Sequence, residues 1–176
     1  ARLPAGTAPD WGAPPEFVPG RYGDLREDRP TNLLLWALPC TPYDRADTAG
    51  WELTAAVLEF TLAAALRDAG LAYACAVWPQ LHSDAGLIAV QVSATPGRAA
   101  ACADAVNAGL DALAKEAPTP EMTNLARDTL SARAALARDD LEVHARALTQ
   151  HPPGIDPAPD GRIVLPAAGC VLQIVV

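Results

Sequence analysis

His82, His144 and His151 are the side chains in this sequence best suited to hold a metal or move a proton near neutral pH. Their surroundings point away from a metal site. His82 is followed by Ser83 and Asp84, while His144 and His151 stand seven apart with no Glu between them. Neither H-x-x-E-H nor H-E-x-x-H occurs, so the chain lacks the helical His pair that grips zinc and the Glu that deprotonates the metal's water. Glu142, His144 and His151 form no recognised ligand spacing and read as solvated surface residues. His82, Ser83 and Asp84 are sequence neighbours, whereas a hydrolytic triad converges from separate segments. Cys40, Cys75, Cys102 and Cys170 are scattered without C-x-x-C and read as small core hydrophobes of a reducing compartment, disulfides being the alternative. Gly86 and Gly97 belong to turns, and no Gly-rich phosphate loop is present. The acidic pairs Asp139-Asp140 and Glu27-Asp28 read as helix-start and linker charges, and Trp36 and Trp78 as core or interface anchors.

What must position such residues is one domain, because 176 residues leave room for a single full core. Apolar residues make up 51% and aromatics 5%, so that core is aliphatic and alanine-rich. A net charge of −8 supplies no basic stripe for phosphates, which argues against a nucleic-acid or anionic-membrane partner. The apolar run Leu33 to Leu38 falls far short of the roughly 20 residues of a membrane span. The chain opens with no basic-then-apolar block, and without an initiator Met a trimmed or processed chain is the expectation, so the missing signal says little about export. With the thiols read as reduced, the expected location is cytoplasmic. Thirteen basic residues include one Lys, Lys115, which is the coding bias of a GC-rich bacterial genome.

Residues 1–30 carry six prolines and read as an extended arm or linker, with 31–176 as the folded unit. A second proline-rich stretch spans 152–166. Asn32 to Leu38, ended by Pro39, predicts a buried strand. Leu53, Val57, Leu58, Leu62 and Leu66 recur at helical spacing, predicting one long helix over 47–69 stopped by Gly70. Leu71 to Trp78 and Gly86 to Ala94 predict two strands joined by a hairpin loop over 80–85. Pro96 and Gly97 open a helix to Glu116, and Thr119-Pro120-Glu121 opens the next, running to Leu136. Thr caps, Pro suits the first helical position and Glu favours the positive end. A further helix is predicted from Asp139 to Gln150 and a closing strand from Gly169 to Val176. The order implies an α+β fold, one mostly antiparallel sheet of about four strands with helices packed on one face.

The segment Leu66-Arg67-Asp68-Ala69-Gly70-Leu71-Ala72-Tyr73 resembles the L-R-E-x-x-G-L-A-Y stretch in the C-terminal half of pitrilysin/insulinase-type zinc metallopeptidases, which include the mitochondrial processing peptidases. Pro42, Asp44 and Asp47 resemble the family's P-x-x-D-x-x-D entry to the long helix, and Thr119-Pro120-Glu121-Met122 is similar to its T-x-E-E-L helix start. The similarity is collinear over residues 32–176. Between Arg67 and Tyr73 the chain is one residue shorter than the family pattern.

The resemblance implies a half-domain of a two-part peptidase that closes like a clam-shell around a peptide. The zinc-bearing half carries H-x-x-E-H, so this chain is expected to be the other half, without a cofactor of its own and with zinc in the partner. Arg67 and Tyr73 are then the substrate-binding residues, reaching across the chamber to the peptide backbone and the developing oxyanion. A guanidinium fork and a phenol suit that task, since both donate to a carbonyl oxygen as charge develops on it. The alternative is a plain helix-ending Arg and strand-edge Tyr. The implied partners are a homologous zinc-bearing half, as a heterodimer, and a peptide substrate such as a precursor or leader peptide, and the lone chain is not expected to stay monomeric. A catalytically inactive scaffold of the same fold, or a fragment cut from its zinc half, are the other readings.

Overall fold

The computed structural model describes residues 12–13, 16–23, 31–42, 45–82, 84–95, 97–137 and 172–175. Their elements run β1 (Gly20–Gly23), β2 (Asn32–Cys40), α1 (Arg45–Asp68), β3 (Ala72–Leu81), β4 (Gly86–Ala94), α2 (Ala99–Lys115), α3 (Pro120–Ala137) and β5 (Leu172–Val175). The strands form one sheet in the order β1-β5-β2-β4-β3. Every pairing is antiparallel except β1 with β5.

The register assembles the core face. Leu34, Trp36 and Leu38 of β2 stand opposite Val92, Val90 and Ile88 of β4, and Val77 of β3 also faces Val90. All seven are buried in one cluster with Leu58, Leu62 and Leu66 of α1 and Cys102, Val106 and Leu113 of α2. The intervening residues, such as Leu35, Ala37, Trp78 and Ala89, point to the opposite face and lie outside that cluster. Trp36 is fully buried, and its indole N–H donates to Asn107 Oδ1 at 3.1 Å, tying α2 to β2. α3 lies on α1 through Met122, Ala126 and Leu130, spaced one helical turn apart, and Arg133 adds an exposed ion pair to Glu59 at 3.4 Å. Exposed pairs of this kind contribute little, about 0–1 kcal/mol.

The α+β class and the helical layer agree with the sequence, and the sheet is larger. It has five strands rather than about four, because Gly20–Gly23, inside the proline-rich arm, adds a short strand beside β5. Pro19 precedes that strand and therefore removes none of its ladder donors. β2 also runs through Pro39 to Cys40 instead of stopping there.

The hairpin explains why. His82 N–H donates to Ala85 C=O at 2.8 Å, so the alternation of an antiparallel ladder directs Gln80, Trp78, Ala76 and Ala74 toward β4. The same alternation turns Pro79 on β3 and Pro39 on β2 away from β4, to sides where no strand among the described residues stands opposite them and a missing N–H costs no described ladder bond. The helix predicted over 139–150, Cys170, and residues Glu27, Asp28, Glu142, His144 and His151 lie outside the described residues.

α1 carries a 22-residue segment, Asp47–Asp68, that is long and apolar enough to cross a bilayer, a feature the short Leu33 to Leu38 run concealed. Over half of its most apolar stretch is buried inside the fold, where it serves as the core helix.

Candidate substrate-binding site

The site proposed from the sequence is built on the turn between α1 and β3. Gly70 adopts φ +62°, a conformation that favours glycine. Around it, Leu71 N–H donates to Leu66 C=O and Gly70 N–H to Arg67 C=O, both at 2.9 Å. This pair of bonds is a Schellman motif, which satisfies carbonyls that the helix end leaves open. It reverses the chain within a few residues and delivers it into β3. Leu71 is held on the other side as well, because Cys102 Sγ–H donates to its carbonyl at 3.1 Å.

Arg67 therefore sits in the last turn of α1, where the negative end of the helix dipole favours a cation. It is exposed. Tyr73 falls at an irregularity in β3: Ala72 pairs with Ala94 and Ala74 with Ser93, which leaves Tyr73 as the extra residue of a bulge. Bulges re-aim side chains, and Tyr73 is 75% exposed. The two residues are thus presented at one corner of the molecule, on a turn pinned by backbone bonds. Among the described residues, neither side chain makes a hydrogen bond or ion pair. Both side chains present their donors to solvent.

The other sequence candidates are not drawn to this corner. His82 and Asp84 are exposed in the hairpin between β3 and β4. Cys40, Cys75 and Cys102 are free thiols. Burial pushes Cys40 and Cys75 up to about 11, with the Glu59 carboxylate adding to the effect at Cys75. Their neutral thiols make poor nucleophiles or metal ligands near pH 7. Among the described residues no three His, Cys, Asp or Glu side chains come together as metal donors. With H-x-x-E-H also absent, the residues present do not fit a catalytic zinc.

A second polar cluster, unforeseen from the sequence, fixes the start of α1. Trp51 Nε1–H donates to Thr41 Oγ1 at 2.8 Å, and Thr41 Oγ1 reaches Asp47 Oδ2 at 3.5 Å. It gives Asp47, one acid of the helix entry, a structural role at the end of β2. The bulge and the Schellman turn were also unforeseen, although Gly70 was the one local signal for the latter.

Comparison with known proteins decides the family. The profile of the peptidase M16 inactive domain matches residues 1–130. The chain belongs to the M16 inactive-domain family.

Solved structures carry the same fold. The inactive peptidase domain of a candidate zinc protease from Bordetella parapertussis superposes with a TM-score of 0.60 at 22% identity, covering 72% of each chain. The M16 inactive domain from Pseudomonas fluorescens gives 0.70 at 15% identity, over 98% of this chain and 46% of that one. The ferredoxin protease FusC, solved as a mutant in complex with Arabidopsis ferredoxin, gives 0.63 at 14% identity, over 90% of this chain and 20% of that one. The chain thus spans less than half of the Pseudomonas fluorescens protein and a fifth of FusC. No curated protein matches. As an M16 inactive domain the chain corresponds to a non-catalytic half, in keeping with the missing zinc motif.

Proposed function

We propose that this domain completes a two-part zinc endopeptidase, closing over a peptide held by a homologous half that carries H-x-x-E-H and the zinc. In this arrangement the chain supplies a wall of the chamber and two donors. The Arg67 guanidinium offers a planar fork of N–H groups to a peptide carbonyl, and the Tyr73 phenol donates to the same region of the backbone. Both act on an oxygen that gains negative charge as the peptide bond is attacked, where a positioned donor lowers the barrier most. The substrate is a polypeptide, a precursor or leader peptide being the simplest class, and the FusC complex with ferredoxin supports a polypeptide as the ligand of this fold. The partner is a separate chain or a fused half.

One observation carries the reading. In this M16 inactive domain Arg67 and Tyr73, which resemble the Arg and Tyr of the family stretch, are exposed, with side chains free of polar partners among the described residues, beside a turn closed by backbone bonds. The test is turnover by the assembled pair. Arg67→Ala and Tyr73→Phe should each lower kcat/KM, the former by about 100-fold, the scale of losing one oxyanion donor, while the pair still co-elutes. Unchanged turnover in an intact pair would refute the role and leave a scaffold.

A further inference from the structure

β3 ends the sheet. Among the described residues it pairs only with β4, so its far side carries backbone groups with no strand beside them. The hairpin alternation identifies them: Cys75, Val77 and Leu81 direct both N–H and C=O outward, and Pro79 directs a C=O without an N–H. Natural edge strands are blunted by charged side chains, proline or bulges. β3, AYACAVWPQL, is ten residues long and contains no charged residue. Its two ends are interrupted, by the bulge at Ala72/Ala74 and by Pro79, and its middle is left open.

We infer that the open edge of β3 over Cys75–Pro79 receives an extended peptide as a sixth strand, with its backbone beside Tyr73. This deepens the proposed function, resting on its reading of the chain as a peptide-binding half, and names how the peptide is held. The window matches such an occupant. An antiparallel peptide exchanges two bonds with Cys75 and two with Val77 and donates one to Pro79, where the missing N–H interrupts the outward donors before Leu81. Recognition is then by backbone rather than by charge, which suits an uncharged strand. A second copy of the chain is the weaker occupant, because two chains of net charge −8 repel and the window is short. The exposed phenol of Tyr73 stands where the added strand passes the bulge, so the edge and the clamp serve the same peptide.

The test uses the full chain and the best-binding short peptide selected from a displayed random library. Backbone N-methylation is then scanned along that peptide. Strand addition predicts a two-residue period: methylating alternate positions weakens binding by about tenfold each, and the positions between tolerate it. In parallel, amide exchange at Cys75 and Val77 should slow when the peptide is added. Tolerance of N-methylation without a period, unchanged exchange at both amides, or failure to enrich any peptide would overturn the inference. Repeating the scan with Arg67→Ala separates the two claims. A retained period with unchanged affinity keeps the edge and removes Arg67 from the clamp. Weakened binding by Arg67→Ala with no period in either chain keeps the clamp and removes the edge.

Discussion

At the scale of single residues, the thiols and the buried indole make predictions that the proposed activity does not touch. Cys40 and Cys75 hold their protons up to about 11 because burial penalises the thiolate, whereas the unfolded chain releases them near 9. Between those values the unfolded state binds fewer protons, so stability present below pH 9 is lost as pH rises toward 11. Thermal melts should show Tm falling over that range, and Cys75→Ala should flatten the fall. Labelling of both thiols by iodoacetamide at pH 8 should be slower than that of free cysteine. Asn107→Ala leaves the Trp36 N–H buried without its acceptor and should cost about 1–3 kcal/mol in denaturant unfolding. Arg67 and Tyr73 could be singled out at this scale by residue type and order alone, and the structure adds their exposure beside the α1–β3 turn. The backbone groups of Cys75 and Val77 were not, since an edge amide has no sequence signature until the strand order is known.

At the scale of elements, two glycines separate conformational cost from steric cost. Gly70 has a positive φ and open space around its missing Cβ, so Gly70→Ala should lower stability by about 1 kcal/mol and leave the fold intact. A Cβ on Gly86 would overlap the Thr41 carbonyl and press on Cys40 Sγ at 3.0 Å, and backbone cannot yield cheaply. Gly86→Ala should therefore cost roughly 2 kcal/mol or more, through strain in a packed site, and equilibrium unfolding of the two variants checks the ranking. Elements with strong local signals came through the sequence well. β4 spans Gly86–Ala94 as its alternation predicts, and α3 starts where Thr119 caps it, with Met122 N–H bonded to Thr119 Oγ1 at 3.3 Å. The misses came from tertiary pairing. β1 is four residues of an otherwise proline-rich arm, ordered by β5 from the far end of the chain, and Pro39 survives within β2 because its register turns it from β4.

At the scale of the molecule, the fold places Arg67 and Tyr73, the proposed clamp, on a half whose described residues bring no three metal donors together. Helices α1 and α2 cover one face of the sheet, while Leu35, Trp78 and their neighbours lie on the other, outside the core cluster. Membership of the M16 inactive-domain family accounts for this incompleteness, since such a domain works beside a catalytic half. The most direct test is reconstitution. The purified chain is mixed with a homologous H-x-x-E-H protein, and hydrolysis of a quenched fluorescent peptide is followed for each component alone and for the pair. The predicted result is a stoichiometric complex that contains zinc and cleaves the peptide many times faster than either part, with the gain lost on Arg67→Ala. Full activity of the zinc protein alone, unchanged by this chain, would contradict the account.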